Sequence, residues 1–119
     1  MTAPDEATDQ RFPKSDRILK RELFRRVYDT GKKIQARFFT AFILPNSQQQ
    51  SRIGITATRK TGNSVERNRL RRRVRELYRR NKWRVPPGID IVINVKDGLA
   101  RAGYDEIEKD FAKMLERSR

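Results

Sequence analysis

Eight arginines lie within residues 67–80, and their number and spacing point to a polyanion as the binding partner. Residues 59–84 contain twelve arginines and lysines but only two acids, Glu66 and Glu76. These 26 residues therefore carry ten of the fourteen net positive charges of the chain. Guanidinium groups form forked hydrogen bonds with phosphate and stack on bases, so the arginine-rich composition favours a nucleic acid.

A solvated charged surface is the simplest alternative for such a run of charges, but it is the weaker interpretation here. Eight like charges within fourteen residues repel one another, and the neighbouring acids are too few to offset them. We expect the cluster to cost stability in the absence of a polyanion and to gain charge-assisted contacts in its presence.

The same segment has the periodicity of an amphipathic helix. At about 100° per residue, one apolar face of this helix contains Leu70, Val74, Leu77 and Tyr78, and we expect that face to be buried. The side chains predicted to point away from it are Asn68, Arg72, Arg75 and Arg79, with Arg67 and Arg71 on one flank and Arg69, Arg73 and Arg80 on the other.

Hydroxyl and cationic side chains immediately precede this helix; they are Thr56, Thr58, Arg59 and Lys60. The N-terminus of a helix attracts anions, so a phosphate site is one interpretation and a turn needed only for connectivity is the other. Asn63 and Glu66 have the spacing of a capping box. The glycine-rich motif of nucleotide-binding loops is absent.

Several aromatic residues have two interpretations, core packing and base stacking. Phe24 and Tyr28 on a predicted helix can face Phe38 and Phe42 on a predicted strand. Core packing is the default for each ring, whereas exposed rings beside a basic helix would stack unpaired bases. Trp83 has the same two interpretations, because it can either cover the core or contact a base.

The composition excludes several classes of enzyme. Without cysteine or histidine the chain has no thiolate or imidazole catalysis, no disulfide and none of the usual zinc sites. Its acids are scattered without a paired-carboxylate motif. We therefore expect a binding protein that holds no cofactor of its own. The lack of cysteine fits a cytoplasmic location, and no apolar run approaches the roughly 18 to 20 residues of a membrane span.

The elements that must position these residues follow the order α-β-β-β-α-β-α. This order predicts a small four-stranded sheet with helices packed against it and an arginine-rich crossover helix. We expect residues 12–119 to form one domain behind a polar, disordered tail at residues 1–11. Its first β segment, residues 34–44, is interpreted as either a hairpin or one long bent strand.

The predicted helix ends rest on capping signals. The first helix is expected to begin near Ser15 or Asp16 and to end at Gly31. The last helix is expected to begin with a capping box formed by Asp105 and Glu108.

Residues 63–76 closely resemble the signature of the bacterial ribonuclease P protein subunit. That signature is roughly small-Val-x-Arg-Asn-x-x-Lys-Arg-x-x-Arg-Glu, and the chain has Asn-Ser-Val-Glu-Arg-Asn-Arg-Leu-Arg-Arg-Arg-Val-Arg-Glu. Segments 12–14, 23–31, 52–60 and 87–90 agree in order and spacing, so the resemblance spans about residues 12–116. Two departures are Arg71, where the family usually has lysine, and Ser64, where alanine is frequent.

The resemblance implies a compact α/β (α+β) two-layer sandwich whose β-α-β crossover is left-handed, against the usual rule. In that family the protein binds a large catalytic RNA and the 5′ leader of precursor transfer RNA, while the RNA subunit hydrolyses the phosphodiester with bound magnesium. The residues that match its RNA-binding motif are Arg67, Asn68, Arg71, Arg72 and Arg75. Those that match its leader-binding cleft are Phe24, Tyr28 and Phe42, with Thr56, Thr58, Arg59 and Lys60 nearby.

The resulting hypothesis is the protein subunit of ribonuclease P. Its expected partners are the catalytic RNA, which carries Mg²⁺, and precursor tRNA, with no membrane and no obligate protein partner. A ribosomal or other structural RNA-binding protein would fit the charge alone, and an autonomous nuclease is the enzymatic alternative. The role of Arg69, Arg73 and Arg80 is left open, with solvation as the simplest interpretation.

Overall fold

A computed structural model describes residues 17–18, 20–58 and 62–118 of the chain. Its helices and strands are, in order, α1 (Arg21–Thr30), β1 (Lys32–Gln35), β2 (Phe39–Pro45), β3 (Arg52–Thr56), α2 (Ser64–Arg80), β4 (Ile89–Val95) and α3 (Tyr104–Arg117). Short 3-10 helices follow α2 and β4, at Lys82–Arg84 and Asp97–Arg101. The predicted order α-β-β-β-α-β-α is confirmed, whereas the predicted tail at residues 1–11 lies outside the described residues.

The four strands form one sheet in the order β1-β2-β4-β3. β1 and β2 are antiparallel neighbours, so the first β segment is a hairpin and not one long strand. β2 is antiparallel to β4, and β3 is parallel to β4. Because two parallel strands cannot be joined by a tight turn, the connection between β3 and β4 passes through α2 and crosses the sheet.

The two faces of the sheet pack against different helices. Along β2, alternate residues such as Phe39 and Ala41 belong to the main core, which also contains the apolar sides of α2 and α3. Phe42 points to the opposite face, where it packs with Val92 and with Val27 of α1. Helix α1 therefore adds a partial third layer to the expected two-layer sandwich, because apolar side chains on the second face also require a cover.

The first helix begins at Arg21, later than the capping signals at residues 15 and 16 indicated. Lys20 has an extended backbone, and Arg17 forms a parallel bridge with Ile53 at the edge of β3. The N–H of Ile18 donates to the carbonyl of Ile53 at 3.0 Å. The segment before α1 is thus extended because β3 supplies its hydrogen bonds. Ser15 and Asp16 themselves lie outside the described residues.

The other helix ends follow from local hydrogen bonds. Asn63 Oδ1 accepts from the Glu66 N–H at 2.9 Å and Glu66 Oε1 accepts from the Asn63 N–H at 3.0 Å, which confirms the capping box of α2. Helix α1 ends at Gly31 as predicted, where a Cβ would lie 2.5 Å from the Val27 carbonyl oxygen.

The predicted start of the last helix is wrong by a short distance. Helix α3 begins at Tyr104, and its capping carboxylate is Glu106, whose Oε1 accepts from the N–H of Gly103 at 3.1 Å. Glu106 stands three residues beyond Gly103, the spacing from which a side chain can return to the open backbone donor. Asp105 therefore lies inside the first turn instead of capping it.

Candidate nucleic-acid interface

The apolar face predicted for α2 is buried, and it consists of Leu70, Val74, Leu77 and Tyr78. This orientation brings the predicted RNA-binding motif onto one side of the helix; its members are Arg67, Asn68, Arg71, Arg72 and Arg75. We call this set the arginine face. Along it, Arg71 donates to Asn68 Oδ1 at 3.1 Å, and Arg67 donates to Ser64 Oγ at 3.2 Å. These contacts hold two guanidinium groups one turn apart.

Arg75 lies close to three other positively charged side chains. Burial, followed by the positive charges of Arg17, Arg71 and Arg72, lowers the pKa of the Arg75 guanidinium below its ordinary value. Arginine remains charged at neutral pH, so the lowered pKa reflects the partial burial of this guanidinium first and the neighbouring positive charges second, and not a loss of charge. An anion bound at this point would relieve that repulsion.

An aromatic cleft lies between α1 and the sheet, next to the arginine face. The ring of Tyr28 stacks on that of Phe42, with centroids 4.5 Å apart and an interplanar angle of 25°. Phe24 lies against Gly54, where an added Cβ would come within 2.4 Å of the phenylalanine ring. Phe24 and Arg75 line one small cavity of about 200 Å³, which joins the cleft to the arginine face.

The aromatic residues of the cleft differ in their exposure. Tyr28 is 45% exposed and Phe42 only 7%, so Tyr28 presents the ring that a ligand can reach, and Phe42 supports it from below. Phe24 is half-buried. Phe38 is buried in the main core, so the interpretation that placed it in an open groove is wrong.

Asn94 is a member of the cleft that the sequence did not reveal. Its Nδ2 donates to the Tyr28 hydroxyl at 3.2 Å, and its Oδ1 accepts from the hydroxyl of Thr56, its neighbour across β3 and β4. A polar row thus lies at the carboxyl ends of the two parallel strands, beside the exposed ring. The available signal was a single amide within the otherwise apolar second half of β4, which indicates a polar partner.

The remaining predicted cleft residues are placed only in part. Thr58 is exposed at the end of β3. Arg59 and Lys60, which were predicted to stand near the leader, lie outside the described residues.

Arg73, on one flank of α2, forms hydrogen bonds with another segment of the protein. Arg73 donates to the carbonyl oxygens of Leu99 and Ala102, at 2.8 Å and 2.6 Å. These bonds attach the helix to the segment that connects β4 with α3. The interpretation of Arg73 as a solvated side chain is therefore wrong.

Two further arginines near the end of α2 also contact the protein. The Cζ atom of Arg80 lies 4.9 Å from the ring centroid of Tyr104, so solvation alone does not describe it either. Arg79 was expected to point outward but is half-buried and forms an ion pair with Glu76. Arg69 is exposed, as the solvated interpretation required.

The described part of the chain contains neither a membrane-spanning helix nor a cluster of metal ligands. Residues 17–18, 20–58 and 62–118 contain no helix that is both long enough and apolar enough to cross a membrane. The same residues bring together no cluster of three acidic side chains that would hold a metal ion.

Comparison with known proteins identifies the family. The family model described as "Ribonuclease P" matches residues 12–119. The ribonuclease P protein component of Desulforapulum autotrophicum is 35% identical over 106 residues, which cover 89% of this chain and 91% of that protein. The corresponding protein of Thermotoga maritima is 32% identical over 110 residues, which cover 89% of this chain and 94% of that protein.

Solved structures agree with this assignment. The ribonuclease P protein of Thermotoga maritima superposes with a TM-score of 0.79 at 33% identity, over 87% of this chain and 97% of that one. The protein of Staphylococcus aureus gives a TM-score of 0.76 at 26% identity, over 87% and 95%. Sequence, motif and fold thus lead to one conclusion: the chain belongs to the ribonuclease P protein family.

Proposed function

We propose that this chain, a protein component of ribonuclease P, holds two RNA segments at once on adjoining surfaces. As a member of its family it is a subunit of a holoenzyme whose catalytic RNA is a separate molecule. The arginine face binds that catalytic RNA, and the aromatic cleft binds the single-stranded 5′ leader of precursor tRNA. The product of the holoenzyme is the mature 5′ end of tRNA.

The single observation that carries this proposal is the continuity of the two surfaces. Arg75 belongs to the arginine face and also lines the cavity that contains Phe24. Two polyanions held so close together would repel each other strongly in water. The crowded guanidinium groups screen that repulsion, because each one can pair with a phosphate and release condensed counterions.

The cleft supplies contacts suited to an unpaired strand. The exposed Tyr28 ring offers a stacking surface that accepts any base, which suits leaders of differing sequence. The amide and hydroxyl groups of Asn94 and Thr56 lie beside it and offer hydrogen bonds to sugar or phosphate groups. Leader binding therefore raises the affinity for substrate without any chemical step on the protein.

A reconstituted cleavage assay tests the proposal. The full chain is added to a bacterial ribonuclease P RNA and precursor tRNA at a magnesium concentration too low for the RNA alone. We expect leader removal to be stimulated, since the positive charge of the protein replaces part of the magnesium requirement. Protein without RNA is the control, and cleavage by it would indicate an autonomous nuclease. No stimulation of the reconstituted reaction would refute the proposal.

A further inference from the structure

Trp83 lies on the 3-10 turn Lys82–Arg84 that follows α2, and it points into solvent. It is the one tryptophan of the chain, and it is 76% exposed, more than Val65 or Tyr28. The interpretation in which it covers the core is therefore wrong. A single exposed apolar side chain is common on protein surfaces, so exposure alone does not indicate a binding site. The residues around Trp83 supply the further evidence.

The turn that carries Trp83 is fixed on both sides. Asn81 is 1% exposed; its Nδ2 donates to the Leu77 carbonyl oxygen at 2.9 Å and to Glu108 Oε2 at 3.1 Å. The N–H of Arg84 donates to the Asn81 carbonyl oxygen at 2.9 Å, and Val85 packs against the main core. The backbone thus holds Trp83 outward, and a ligand would not have to order it.

Arg84 covers one face of the indole. Its Cζ lies 4.3 Å from the ring centroid, a cation–π contact. Its Nε is buried and makes no hydrogen bond to any described residue. An indole backed by a guanidinium group offers its other face to a further planar group, and an RNA base is the planar group that stacks on such platforms.

We call the indole of Trp83 and the guanidinium group of Arg84 the platform. The charge around the platform favours the same kind of ligand. Residues 79–84 contain four basic side chains and no acid. Arg79 is paired with Glu76, so the positive charge near the indole comes from Arg80, Lys82 and Arg84. An apolar protein partner would have to bury these charges at a cost, whereas RNA brings phosphates to neutralise them. Aromatic surface and positive charge together fit a nucleotide.

The position of the platform separates it from the leader cleft. Tyr28 contacts Asn94 near the carboxyl end of β4, whereas the turn with Trp83 precedes the start of that strand. A strand of seven residues spans roughly 20 Å, so a leader segment seated on Tyr28 lies well away from the turn. The catalytic RNA, which binds along α2, is the RNA that reaches it.

We propose that Trp83 and Arg84 form a second RNA site, in which an unpaired base of the catalytic RNA stacks on the exposed face of the indole. The inference rests on the partnership with ribonuclease P RNA and extends the contact beyond the motif of the arginine face.

Because the chain has one tryptophan, its fluorescence reports on this site alone. The full chain is titrated with the catalytic RNA in one experiment and with precursor tRNA alone in a second. In a third experiment it is diluted without RNA. We expect the catalytic RNA to quench the emission and precursor tRNA alone to leave it unchanged. Quenching by precursor tRNA alone would assign the platform to the substrate and overturn the proposal. If the Trp83 emission depends on protein concentration in the absence of RNA, Trp83 contacts a second copy of the chain, and the proposal is also overturned.

Affinity measurements supply an independent readout. Trp83→Ala should weaken binding of the catalytic RNA by roughly 5- to 140-fold, the range for loss of one base–aromatic stack. The slope of affinity against salt should not change, because stacking releases no counterions. Trp83→Phe should retain most of the affinity, and Gln49→Ala, at an exposed and uncharged position in the loop between β2 and β3, is the control.

Wild-type affinity in Trp83→Ala, with the thermal unfolding of the protein unchanged, would refute the second site. Stimulated cleavage in the reconstituted assay would then still support the proposed function, so the two failures are distinguishable.

Discussion

Tyr28 and Asn94 illustrate how one amide within a strand orients an aromatic ring. The ring rests on Phe42, and its hydroxyl accepts a hydrogen bond from Asn94, whose oxygen is already used by Thr56. The aromatic pair could be predicted, since spacing and family resemblance both pointed to it. Asn94 could not, because the residue it serves is 66 positions away in the sequence.

Substitutions at these two positions should separate stacking from orientation. Tyr28→Ala should cost about 1–3 kcal/mol of leader binding, the range for one stacked base. Asn94→Ala keeps the ring but releases its hydroxyl, so we expect a smaller loss of about 1 kcal/mol. The measurement is the affinity of the reconstituted holoenzyme for precursor tRNA.

Precursor with a minimal leader is the control substrate, and its affinity should change little in either variant. If Tyr28→Ala binds the long-leader substrate as tightly as the wild type, the ring supports the core and does not contact the leader.

Some arginines of helix α2 are exposed and others bond to the protein, and the sequence alone does not distinguish the two kinds. Helical phase correctly identified the buried apolar side, because that pattern is local, but it misplaced Arg79, which is half-buried and paired with Glu76. It could not show that Arg73 bonds to Leu99 and Ala102, since those carbonyl groups arrive through the tertiary fold. The start of α1 was misjudged for a similar reason, since pairing with Ile53 outweighs the local capping signals.

Arg73 and Arg69 should therefore differ in their effect on stability. Arg73→Ala leaves the carbonyl groups of Leu99, Ala100 and Ala102 without their charged donor, and we expect it to lower the free energy of unfolding by about 1–3 kcal/mol. Arg69→Ala, on the exposed surface of the same helix, should change it by less than about 0.5 kcal/mol. Urea unfolding of both variants checks the difference. Equal stabilities would show that the Arg73 hydrogen bonds contribute nothing net.

At the scale of the whole molecule, the fold is held together in spite of its charge. The net charge is +14, and a largely buried ion pair joins Arg52 to Asp90 at 2.8 Å. Fold class and element order could be predicted, because strand and helix patterns are local. The strand order β1-β2-β4-β3, with β4 in the interior, could not, because it depends on pairings between distant segments.

This imbalance of charge predicts opposite effects of salt on stability and on RNA binding. Raising NaCl from about 50 mM to about 500 mM should raise the melting temperature of the free protein, because screening weakens the repulsion among arginines. The affinity for RNA should fall over the same range. Arg72→Gln, on the exposed arginine face, should raise the melting temperature at low salt and reduce the salt slope of RNA binding by about one. A melting temperature that falls with added salt would mean that favourable ion pairs outweigh the repulsion.

The bridge between Arg17 and Ile53 has a consequence for how copies of the free protein meet. The strand order leaves β1 and β3 as the edges of the sheet, and unpaired edges are where separate chains add strand to strand. At β3 the segment before α1 pairs with Ile53, and at β1 the exposed side chains of Lys32 and Lys33 bring positive charge to the edge. Both features oppose the addition of a strand from another copy of the chain.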